Sequence, residues 1–114
     1  MELVRANEDV IGKSIENPQG ESLGEIEELM LDKVAGTVEY VVVSFGGFLG
    51  LGEKLFAMPW SIFNYNKERE CFVITVDKEK LENAPGFDRD HWPDISSPTW
   101  TASINNYYGI RPHH

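Results

Sequence analysis

Cysteine is almost missing from this chain. A single one, Cys71, excludes any intrachain disulfide. Histidine is nearly as scarce: His91, His113 and His114 all lie in the C-terminal third. No HExxH or CxxC spacing occurs, so neither a zinc site nor a base for a nucleophilic Cys71 is expected. Apolar runs long enough to span a bilayer are absent, and no membrane insertion is expected. Residues 1–9 lack the basic and apolar regions of a secretory leader, so the expected setting is the cytoplasm. Positive charge is also short: 10 Lys plus Arg stand against 19 acids, for a net charge of −9. Residues 1–57 hold most of the excess, with 11 acids and 4 bases, a balance of −7. A field of that sign repels phosphate backbones and argues against nucleic-acid binding.

What remains is an ordinary globular composition, 41% hydrophobic and 25% charged over 114 residues, enough for one domain with its own core. The segment Val10–Ile15 leans apolar, and Asn17-Pro18-Gln19-Gly20 supplies hairpin-turn chemistry. Residues 22–32 read as a strand with a bulge near Glu27–Glu28. Residues 34–36 make a tight connection. Thr37–Phe45 is the clearest strand, and its run Tyr40-Val41-Val42-Val43 predicts burial on both sides, hence a central place in the sheet. Shorter strands are expected at Leu55–Met58, Ser61–Tyr65 and Cys71–Val76, with a polar turn at Asn66-Lys67-Glu68. Beyond them Asp77 caps a short helix to Asn83, stopped by Pro85-Gly86. Ser97-Pro98 starts another, in which Trp100, Ile104, Tyr107 and Tyr108 share one face and Gly109 provides the stop.

The pattern predicts about six short strands over residues 10–76, followed by a helical, aromatic-rich tail. The expected division is a β-domain over residues 1–83 and a tail over residues 84–114. The ordered series Gly12-x7-Gly20, Leu23-Gly24-x-Ile26, Leu31-Asp32-x3-Gly36, Tyr40-x-Val42-Val43-Ser44-Phe45-Gly46-Gly47 and Ala57-x-Pro59-Trp60 resembles the PRC-barrel domain. That family is named for the cytoplasmic barrel of the photosynthetic reaction-centre H subunit. The likeness covers residues 8–82. Ala84-Pro85-Gly86-Phe87, Trp92-Pro93 and Tyr107-Tyr108-Gly109 are similar to the tails of its small stand-alone members. The resemblance implies a small, mostly antiparallel six-stranded β-barrel, used for docking or assembly and without a shared catalytic set. No cofactor is implied.

Three features invite chemistry. Gly47-x4-Gly52 has the spacing of a P-loop opening, but Glu53 stands where lysine is required, and a strand rather than a helix follows. A bend in the backbone accounts for the glycines better. Glu25, Glu27 and Glu28 lack the companions of a cation loop and read as a solvated face. The third feature is aromatic: five of the 13 Phe, Trp and Tyr residues fall between Phe87 and Tyr108. Such a tail must dock, either on its own barrel or across a subunit boundary. The expected function is a non-catalytic interaction module, homodimeric, with Phe48, Leu49, Leu51, Trp92, Trp100, Tyr107 and Tyr108 as candidate contact residues and a further protein partner. The alternative is a small-ligand or anion binder using the loop Gly46–Lys54.

Overall fold

The computed structural model describes residues 1–45 and 54–110. It contains strands β1 (Ser14–Glu16), β2 (Ser22–Asp32), β3 (Thr37–Ser44), β4 (Lys54–Met58), β5 (Asn64–Asn66), β6 (Cys71–Val73) and β7 (Gly86–Asp88), with helices α1 (Lys78–Glu82) and α2 (Pro98–Tyr107). The strands form one sheet in the order β5-β6-β1-β2-β3-β4-β7. Every neighbouring pair is antiparallel except β1 and β6. Among the described residues no ladder joins β5 to β7.

Local chemistry explains the turns. The Asn17 side-chain oxygen accepts the N–H groups of Gln19 and Glu21 at 3.0 and 2.9 Å, closing β1 onto β2. Asp32 does the same for Val34 and Ala35 at 2.9 and 3.0 Å, and these bonds hold its carboxyl below the usual range. Gly36 completes that turn at φ +75°, a left-handed conformation that a side chain would oppose. The predicted bulge is present: the β2–β3 register shifts between Ile26 and Glu28.

Four expectations need correction. The Val10 segment is not extended, because Ala6–Val10 forms a helical turn and β1 begins only at Ser14. The strand expected at Ser61–Tyr65 is displaced by a 3₁₀ turn, Trp60–Ile62, in which Ile62 and Phe63 donate to the carbonyls of Pro59 and Trp60. Pro59, extended at φ −61°, delivers the chain into that turn. β6 stops at Val73 because its partner β1 ends at Glu16; Ile74 N–H still reaches the Glu16 carbonyl, but among the described residues Thr75 and Val76 have no strand beside them. Finally, the tail is not purely helical, since Gly86–Asp88 adds a seventh strand against β4.

β3 shows why its run is apolar throughout. Val41 and Val43 enter the main core with Ile15, Ile26, Phe56 and Ile74. Tyr40 and Val42 point the other way, into a second cluster with Leu55, Ala57 and Ile104. Burying each such aliphatic side chain contributes roughly 1.5–3 kcal/mol before conformational entropy is counted.

β1 is tied to the β5–β6 turn by a two-pronged contact. Arg69 Nε and Nη2 donate to the two Glu16 carboxylate oxygens at 2.8 and 3.2 Å. The Glu16 side chain is only 12% exposed, and the arginine hydrogen bonds, foremost, hold its carboxyl below the ordinary 4.5. Because the folded value is depressed, this contact stabilises fully above about 4.5, where both states are ionised. As pH falls further the unfolded chain takes up the proton first, and the stabilisation is lost by the time pH passes the folded value. The thermal midpoint of Glu16→Gln should therefore lie below wild type at pH 7 and converge on it in acid. A constant gap across the series would show that the ion pair is not responsible.

Candidate functional site

The second cluster is where the tail meets the sheet. Ser97 occupies the N-cap of α2 without a side-chain capping bond; Pro98, at the first helical position, presets the backbone. The expected face is the one that docks. Ile104 is fully buried against the β3–β4 surface, and Trp100 and Tyr108 are half-buried beside it. Trp100 Nε1 donates to the Tyr40 hydroxyl at 3.2 Å, satisfying both amphipathic rings at the boundary of the cluster. Burial pushes the Tyr40 hydroxyl up, and the Trp100 bond opposes this. Gly109, at φ +70°, ends the helix as expected.

Three further ties hold the tail. β7 pairs with β4, placing Phe87 opposite Leu55. Arg89 reaches Glu27 on β2 at 3.3 Å. The Tyr107 hydroxyl donates to the Lys80 carbonyl, while the Lys80 ammonium sits 4.7 Å from the Tyr107 ring centre, joining α2 to α1. The Tyr108 hydroxyl is buried with no partner among the described residues, and desolvation drives its titration far upward.

Within the single chain the tail covers the outer face of its own sheet. Trp100, Tyr107 and Tyr108 are thus engaged within the chain. Trp92 differs. Its ring packs on Phe87 with centroids 4.8 Å apart, yet it remains 37% exposed, and Ile95 on the same loop is 47% exposed. Phe48, Leu49 and Leu51 lie outside the described residues.

Sequence reasoning missed Ile95 and also Leu31 and Val34, which are 67% and 92% exposed on and beside the β2–β3 turn. No local signal marks them, because their exposure depends on where the neighbouring strands stop. Glu27, read as part of a solvated face, holds Arg89. Cys71 is buried next to Glu16 and Arg69, and burial is the main cause raising its thiol. Among the described residues no cluster of three metal-ligating side chains occurs. An open groove of about 500 Å³ lies between the β1–β2 turn and the start of α1, lined by Asn17, Glu21, Leu23, Val76, Asp77 and Leu81.

The architecture defines a class: a small, mainly β protein, a sheet with core on both faces, one of them sealed by its own tail. The chain belongs to the PRC-barrel domain family, whose model matches residues 3–81. No curated protein matches the chain in a sequence comparison. No helix among the described residues is long and apolar enough to cross a membrane.

Proposed function

We propose that this protein is a non-catalytic assembly module of the cytoplasm, which pairs with a second copy of itself through the Trp92 loop. The observation that carries this reading is the exposed pair Trp92 and Ile95, backed by Phe87 on the edge strand β7. An aromatic ring held in place by a strand residue loses little entropy on binding and buries a large apolar area. Among the described residues β7 is an edge strand, and that edge lies beside the same contact. A two-fold arrangement uses this patch twice. The single buried cysteine fits a reducing compartment.

Light scattering on a size-exclusion column should give twice the 12.9 kDa of one chain at high micromolar concentration. Trp92→Ser combined with Ile95→Ser should give a single chain that still unfolds cooperatively, with a thermal midpoint that, unlike that of the wild-type dimer, does not depend on concentration. A wild-type chain that stays monomeric over the whole concentration range would overturn the dimer.

A further inference from the structure

The β2–β3 hairpin is longer than the strands that flank it. The β1 ladder onto β2 ends at Ser14 opposite Glu25, and Ile26 then exchanges hydrogen bonds with Gly12 and Lys13. β2 nevertheless continues to Asp32. On the other flank β4 begins to pair with β3 at Val41, so among the described residues the backbone of Thr37–Tyr40 pairs only with β2. Among the described residues, then, 28–32 and 37–40 form a two-stranded ribbon, with Leu29, Met30 and Tyr40 packed onto the two cores. Such a ribbon is weak alone, and its outer backbone groups are a template for another strand.

Charge decides which strand. Over residues 28–40 the ribbon carries Glu28, Asp32 and Glu39 against Lys33 alone. Edge charges usually keep copies of a protein apart, and here a second copy would set acid against acid. The same charges attract a basic strand. Just before the ribbon, the bulge residue Glu27 already holds a cation: Arg89, from a distant part of the chain, lies 3.3 Å away. Charge is not the only feature, because Leu31 and Val34 stand exposed and Leu31 faces Val38 across the ladder. An incoming strand that alternates would set its apolar side chains by Leu31 and its cations by Glu28.

We propose that the β2 edge from Glu28 to Asp32 takes up an extended segment of another protein in which basic and apolar residues alternate. This rests on the reading of the protein as an interaction module, but uses a surface separate from the Trp92 loop.

The test uses the full chain and a short synthetic peptide of alternating lysine and valine. A peptide of equal charge interrupted by prolines, which cannot pair as a strand, is the control. Amide exchange followed by NMR should slow by roughly tenfold at residues 28–32 with the alternating peptide and not with the control. The effect should weaken with added salt, and Glu28→Lys with Leu31→Lys should abolish it while exchange in β3 from Val41 to Ser44 stays as in wild type. Equal effects from both peptides, or no slowing at 28–32, would overturn the proposal. The solution mass separates the two readings: a dimer with an unprotected edge refutes the edge alone, and a monomer with a protected edge refutes the dimer alone.

Discussion

Gly24→Ala should destabilise the protein by about 3 kcal/mol, the upper part of the usual range for forcing atoms into a packed interior. Gly24 lies in β2 opposite Ile15, where the end of β3 crosses close above it. A β-carbon there would sit 1.9 Å from the Ser44 carbonyl oxygen, 2.9 Å from its carbon and 3.0 Å from the Phe45 α-carbon. All three are backbone atoms, so no side-chain rotation relieves the clash. The strands must separate, and Phe45, fully buried and packed on Phe56 at 5.4 Å, must move with them. Gly86→Ala is a useful contrast. Its closest contacts, at 2.8 and 2.9 Å, are ring atoms of Phe56, though the Leu55 carbonyl at 3.1 Å also crowds it. The smaller loss is expected at Gly86. Urea unfolding of the two variants beside wild type decides this, and an unchanged midpoint for Gly24→Ala would refute the close approach. With total stabilities of roughly 5–15 kcal/mol for such domains, the Gly24 loss removes a large share.

Ile104→Ala should cost about 3 kcal/mol as well, within the span measured for deleting a buried isoleucine side chain to alanine. Ile104 is the one fully buried residue of α2, and it fills the space between Tyr40, Val42, Leu55 and Ala57. A helix of ten residues has little stability by itself, so its order depends on this contact. The loss should therefore be concentrated in the tail. Amide exchange in α2 should speed up far more than in β3, and the Trp100 indole should shift toward solvent-exposed emission. Uniform acceleration across the sheet would mean that tail and sheet unfold as one unit.

Both predictions concern contacts that are long in sequence, and legibility divides along that line. The Asn17 and Asp32 turns, the Asp77 cap, the Pro98 start and the Gly109 stop are each decided within a few residues, and all were readable from residue types. So was the double-sided burial of β3, because a run without polar residues admits only a place with apolar matter on both faces. The family likeness was legible over residues 8–82 and agrees with the match over residues 3–81. The candidate site was less legible. The face of α2 was readable from its spacing, but its destination was not, because residues 89–97 are long enough to lead the helix to its own sheet or to another.

The sequence alone therefore determined the turns, the caps, the helix faces and the interior place of β3, since each follows from the conformational limits or polarity of neighbouring residues. Tertiary structure decided the rest. Gly86–Asp88 is a strand only because β4 offers it an edge, Trp100 has a partner only because Tyr40 lies 60 residues away on the outer face, and among the described residues the β2 edge beyond Ile26 has no strand beside it only because β1 stops short. Those outcomes depend on which distant segments meet, and no local preference carries that information.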